Sequence, residues 1–285
     1  MDQEGRARLS PQEDRARDEP VVELAAWDGL VQGRNDTFNG LNVQAFLSQS
    51  GGSWSGPFKV AADDHNEYFV KALETCPAGQ HRTSLATELV VSRVGSLIGA
   101  PVCETSLIRI PGNLAGWEAK PGVPVREGLA HASRALRHCD EAGRPHLTSR
   151  NQDSNTWRHV GIYALYDWCM GHDPQWLYDI DADRTIYSHD HGLYLPPVGS
   201  GELKRDALIA TVHDAHILPE PPAGVLPAAI EAVCDALLSV TRANLVAVMS
   251  AVPAHWPVSD NTLEALGWFL EDRAAEVAER LRALI

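Results

Sequence analysis

Lys71 closes the short run Tyr68-Phe69-Val70-Lys71, where strand alternation puts Phe69 and Lys71 on one side and Val70 on the other. A lysine on a covered strand face needs a counter-charge. Glu88 can supply it, because it is an acid inside an otherwise apolar helical pattern, flanked by Leu85 and Leu89, which would turn it toward the sheet. Upstream, the segment GGSWSGPF from Gly51 to Phe58 lets backbone N–H groups, those of Gly51, Gly52 and Ser53 first, approach a phosphate closely. It lacks the GxxxxGK[ST] order of a P-loop, which excludes that class. The plain structural alternative is a glycine-rich hairpin, a lysine whose stem lies along a sheet edge, and a solvated helix acid.

Two further acids follow. The helical pattern ending ALYDWCMG delivers Gly171-His172-Asp173-Pro174-Gln175, and the WLYDI/TIYSH pair delivers Ser188-His189-Asp190-His191-Gly192. On a continued strand, His189 and His191 would point one way and Asp190 the other. Asp190 and the amide oxygen of Gln175 are hard oxygen donors of the kind magnesium prefers. The His189-x-His191 pair, with His172, Asp173, Asp190, His213 or Asp214, is the material of a rival zinc hydrolase, although no HExxH motif is present.

The elements that must hold these residues read in two parts. From Leu41 to Ile110, short β-like runs (NVQAFLSQS, PFKVAA, EYFVKAL, VCETSLIRI) separated by Gly, Asp and Asn predict an antiparallel sheet. One helix interrupts it. Its apolar positions from Ser84 to Ile98 follow a 3.6-residue period and stop at Gly99 and Pro101. Beyond Pro111, helices are expected from Asn155 to Met170, Ala228 to Val240, Arg242 to Met249 and Asn261 to Leu284, with a WLYDI/TIYSH hairpin between the first two. The expected organisation is a flexible tail over residues 1–20, a β-rich unit over 21–112 and a mainly helical unit over 113–285. Trp157, Trp168 and Trp176 are expected to pack in the interior, and Cys103 and Cys169 to be buried, inert thiols.

Composition narrows the partners. The chain has 285 residues, 44% hydrophobic and 22% charged, enough apolar surface to build a core. Its net charge of −14 would repel a phosphate backbone or an anionic membrane over any large contact, so neither nucleic acid nor a membrane is expected as partner. Five cysteines without a CxxC pair and a charged, apolar-poor N-terminus lead to the expectation of a reduced, cytoplasmic protein.

Taken together and in order, GGSWSGPFKV, EYFVKAL, SLATELVVSRVGSLIGAPV, ALYDWCMGHDPQWLYD and SHDHG resemble the HipA-like kinase family, a bacterial branch related to HipA toxins and phosphatidylinositol kinases. The resemblance spans roughly residues 41 to 197. It implies an α+β, bilobal protein-kinase-like fold: a small antiparallel-sheet lobe with one helix, a mainly helical large lobe, and ATP between them. It also implies roles. Lys71 anchors the phosphates, Glu88 is its ion-pair partner, Asp173 is the catalytic aspartate, and Asp190 holds Mg2+ with Gln175. The segment Ser106 to Pro111, with Ile108 and Ile110, would be the hinge beside adenine. The implied activity is transfer of the γ-phosphate of ATP to a hydroxyl acceptor, a protein Ser/Thr or a small molecule.

Two positions depart from the family's pattern. Pro174 stands where an arginine is usual, and Gln175 where the metal-binding asparagine is expected. Glutamine is one methylene longer, so the metal geometry must adjust or a second metal is lost. Three alternatives follow: a pseudokinase that binds nucleotide without transfer, a protein that transfers AMP, and the His189-x-His191 hydrolase.

Overall fold

The computed structural model describes residues 23–49, 51, 55–76, 81–141, 147–148, 150–220 and 222–284. The expected tail and the positions Gly52 and Ser53 lie outside the described residues.

Five strands form the β-rich part: β1 (Leu41–Ser48), β2 (Phe58–Ala62), β3 (Glu67–Lys71), β4 (Thr105–Ile110) and, after a small hairpin of β5 (Glu118–Lys120) and β6 (Val123–Pro124), β7 (Gly128–Arg134). Their order is β1-β2-β3-β7-β4, and the sheet closes into a barrel. Neighbouring strands are antiparallel except at the closure, where β1 runs parallel to β4 through Leu41↔Ile108 and Asn42↔Arg109. The sequence pointed to an antiparallel sheet, and this short parallel contact closes it and removes its edges.

Alternation sorts the side chains. Phe58, Val60, Tyr68, Val70, Ile108, Ile110, Ala130 and Ala132 fill the barrel interior. Leu107 and Leu129 face outward into a second, larger core shared with the helices. Lys71 and His131 are register partners on that outer side.

Helix α1 (Ser84–Leu97) follows β3 and packs against β4 and β7. The remaining helices are α2 (Asn155–Trp168), α3 (Arg205–Thr211), α4 (Pro227–Leu238), α5 (Arg242–Ser250) and α6 (Asp260–Arg282), with α6 packed against α2, α3, α4 and α5. A three-stranded sheet in the order β10-β9-β8 joins β8 (Cys139–Asp140), which precedes α2, to β9 (Gln175–Asp179) and β10 (Thr185–His189), which lie between α2 and α3. The expected hairpin is therefore present, and Asn155 at the start of α2 holds it: its side chain accepts from the Ile186 amide at 3.0 Å and donates to the Arg184 carbonyl at 2.7 Å.

The expected boundary at 112/113 falls inside the barrel sequence, because β7 completes the barrel. The chain leaves the barrel after Arg134 and reaches β8 through residues 135–138. Trp168 and Trp176 are buried as expected, whereas Trp157 is exposed on α2. Cys103 and Cys169 are buried, and burial pushes both thiols up, Cys103 to about 12.

Candidate active site

Lys71, the last residue of β3, is 9% exposed, and its ammonium pairs with two carboxylates from different elements. One is Glu88 Oε1, from the middle of α1, and the other is Asp190 Oδ1, at 2.5 Å, from the turn after β10. Glu88 is 2% exposed and uses its second oxygen, Oε2, to accept the His191 backbone N–H at 3.0 Å. The expected pairing of the strand lysine with the helix acid is thus present. Burial alone would lower the Lys71 pKa, but the attraction of Glu88 and then Asp190 outweighs it and holds the ammonium above its ordinary value. For Asp190, burial works to raise the pKa, and Lys71 overrides it, so this carboxyl stays well below the usual range. Glu88 is more deeply buried and repelled by Asp190, and it is pushed up. One cation shared by two acids leaves the more accessible acid firmly ionised.

The backbone around Asp190 has specific causes. The strand ends at His189, and Asp190 adopts a left-handed φ of +57°, a conformation that aspartate tolerates better than most residues. Alternation therefore stops before Asp190, and the expected opposition of His189 and His191 to Asp190 does not apply. His191 turns inward and shares a 2.8 Å hydrogen bond with Ser188 Oγ through Nε2. Gly192 packs closely against Glu88, since a Cβ there would lie 3.1 Å from Glu88 Oε1 and the carboxylate would have to shift. Among the described residues, no group of three or more His, Cys, Asp and Glu side chains is arranged to hold a metal ion, so the zinc-hydrolase reading has no ligand set there.

Asp173 lies in the turn after α2, also left-handed at φ +48°, and is exposed. Gln175 starts β9, is buried, and donates its side-chain Nε2 to Asp173 Oδ2 at 3.1 Å. In the β9–β10 register Gln175 pairs with His189, one residue before Asp190. Asp173, two residues before β9, and Asp190, one residue after β10, thus flank the paired ends of adjacent strands. The Gln175 nitrogen is spent on Asp173, which leaves its oxygen as the atom able to meet a cation.

The turn itself is anchored from below. His216 stacks on Tyr166 and donates Nε2–H to the Gly171 carbonyl at 2.6 Å. Asp167 accepts from the His216 amide and from both Arg273 and Arg280.

Ile108 and Ile110 do not face a ligand at a hinge. They are buried inside the barrel, on a strand hydrogen-bonded to β1 and β7, so residues Ser106 to Ile110 of that segment belong to the structural strand β4 and Pro111 follows it. Residues 135–138 lead from the barrel toward the α2 side. Gly51 is described and exposed. A cavity of about 230 Å³ opens beyond the end of β3 among Glu74, Ile110, Leu129 and His255, and Lys71, Asp173 and Asp190 are not part of its lining.

His131 was not foreseen. It is 3% exposed, and neither ring nitrogen has a hydrogen-bond partner among the described residues. It pairs in register with Lys71. Its run, Leu129-Ala130-His131-Ala132, carries too few β-branched or aromatic residues to signal a strand.

No protein-family model matches this sequence, and no curated protein matches it. Solved structures do. The chain is similar to the Helicobacter pylori proinflammatory kinase CtkA at a TM-score of 0.52 and 13% identity, over 88% of this chain and 97% of that one. Two structures of the Golgi casein kinase, one with Mn/ADP bound, match at 10% identity with TM-scores of 0.45 and 0.41, covering 91% and 92% of this chain and 75% and 77% of theirs. The CtkA match gives this chain a kinase-like fold of mixed α and β structure.

Proposed function

We propose that the protein is an ATP-dependent phosphotransferase of the HipA-like kind, bilobal in arrangement, with its site between the barrel and the β9–β10 hairpin. The observation that carries this reading is the convergence of Lys71, Glu88 and Asp190 from three separate elements of a kinase-like fold. Such fixed charges suit phosphoryl transfer, where catalysis is positioning and charge stabilisation.

Lys71 holds phosphate oxygens, and Glu88 sets its orientation. In this reading the backbone amides of Gly51 to Ser53 share with Lys71 the holding of the ATP phosphates. Asp173 orients the acceptor hydroxyl and takes its proton; its exposure leaves room for an acceptor, a protein Ser/Thr or a small molecule. Asp190 and the Gln175 oxygen fit Mg2+, an all-oxygen pair supplemented by phosphate and water, and the bound ion neutralises charge on the phosphates.

Incubating the protein with Mg2+ and ATP labelled at the γ or the α position tests the reading. Transfer of γ label is expected, and α label would mean AMP transfer. Asp173→Ala should abolish transfer while keeping ATP affinity within severalfold, whereas Lys71→Ala should impair both. Either variant matching wild type would refute the assignment, and nucleotide binding without any transfer would make the protein a pseudokinase.

A further inference from the structure

The β5–β6 hairpin is inserted between β4 and β7 and docked on the strands that flank the glycine-rich segment. Trp117 stacks on Phe46 of β1, with ring centroids 4.1 Å apart and planes within 2°, and lies 5.6 Å from the ring of Phe58 in β2. The Gln49 side-chain amide donates to the Glu118 carbonyl at 2.8 Å. This fixes Lys120, at the end of β5, in a half-buried position. Its Nζ donates to the Thr75 carbonyl at 3.0 Å and has no carboxylate partner among the described residues. Gly56, at φ +54°, makes room for it, since a Cβ there would lie 3.2 Å from Nζ.

An ammonium held in place without a counter-charge is unusual in a chain with 38 acidic against 24 basic residues. Its surroundings belong to the site already described. Thr75 closes the turn that follows Lys71, with its hydroxyl oxygen accepting the Ala72 N–H at 3.2 Å. Cys76, one residue further, feels the charges of Lys71, Glu88 and Lys120. Lys71 and Lys120 therefore both act on residues 72–76, and Gly56 of the glycine-rich segment lies against the Lys120 ammonium.

We propose that Lys120 is a second phosphate-binding residue, supplying with Lys71 a pair of cations for the polyphosphate of a bound nucleotide. The proposal rests on the nucleotide-binding reading of Lys71 and adds to it a ligand contributed by the inserted hairpin. Moving from the Thr75 carbonyl to a phosphate oxygen exchanges a neutral hydrogen bond for a charge-assisted one, which is the stronger.

Calorimetric titration of the full chain with ATP, ADP and adenosine in Mg2+ tests it. Lys120→Gln removes the charge and keeps an N–H donor on a side chain one atom shorter, and it should weaken ATP about tenfold, ADP less and adenosine not at all. Lys120→Arg should restore ATP binding to within about twofold. If Lys120→Gln binds ATP like wild type while Lys71→Ala loses it, the Lys120 assignment is overturned and the kinase reading stands. Equal loss for ATP and adenosine in Lys120→Gln would also overturn it, as a structural effect. If the wild-type chain binds none of the three, the kinase reading itself fails.

Discussion

Two buried charge clusters in this molecule differ in how completely they are satisfied. Around Asp167, Arg273 is 0% exposed and donates to the carbonyls of Trp168, Thr211, Val212, Asp214 and Asp167 as well as to the Asp167 carboxylate, which Arg280 also contacts. Every element it touches is locked to α6. Around Lys71 the cation is outnumbered by carboxylates, Asp190 is partly open, and the neighbouring His131 has no hydrogen-bond partner among the described residues. The first cluster is finished as protein structure. The second keeps capacity for a ligand, and the contrast separates a charge fully spent on the fold from one with room for the chemistry proposed above.

The largest effect that tests this contrast is on stability. Arg273→Met strips the buried Asp167 of one cation and several backbone carbonyls of their donor, and should cost about 3–5 kcal/mol in urea unfolding. Lys71→Ala should cost much less, since Glu88 is already pushed toward its neutral form and Asp190 can reach water. Equal losses in the two variants would break the distinction.

A smaller effect depends on pH. His131 is held down to about 3 from its ordinary 6.5, by burial first and then by Lys71 and His191, with Asp190 opposing and Arg93 assisting. Between those values the unfolded chain binds a proton that the folded chain refuses. The stability this neutral ring contributes is complete above about pH 6.5 and falls as the pH drops, by up to about 1.4 kcal/mol per pH unit. His131→Phe should flatten the acid limb of a melting-temperature profile between pH 7 and 4, and an unchanged limb would show that His131 is not its source.

The smallest effect is at Gln175. Gln175→Asn shortens the side chain by one methylene and should shift the Mg2+ concentration for half-maximal transfer severalfold, with little change in melting temperature. A variant with unaltered metal dependence would remove Gln175 from the metal site and leave its bond to Asp173 as a purely structural contact.

Much of this was legible in the sequence, and the reasons are physical. Alternation in Tyr68-Phe69-Val70-Lys71 and helical spacing around Glu88 depend only on local geometry, and the barrel and α1 follow both, with Phe69 45% exposed beside Lys71. The hairpin carrying Gln175 and Asp190 was marked by its acidic turn. What local pattern could not convey was which covered face is which. Ile108 and Ile110 alternate as a strand should, yet alternation alone does not distinguish a barrel interior from a ligand-facing wall. β7 was hidden by its alanines, and with it the true exit from the barrel after Arg134. Lys120 sits in a stretch rich in Gly and Pro that reads as a connector, and only tertiary docking of Trp117 on Phe46 gives it a fixed place.

The backbone of Ser188 has one last implication. Its N–H donates to the Pro101 carbonyl at 2.7 Å and its carbonyl accepts from Cys103 at 3.1 Å, so the strand leading to Asp190 is riveted to the chain entering β4. Mechanically, Asp190 is coupled to the barrel through this backbone pair, much as a drawer's runner stays screwed to its frame.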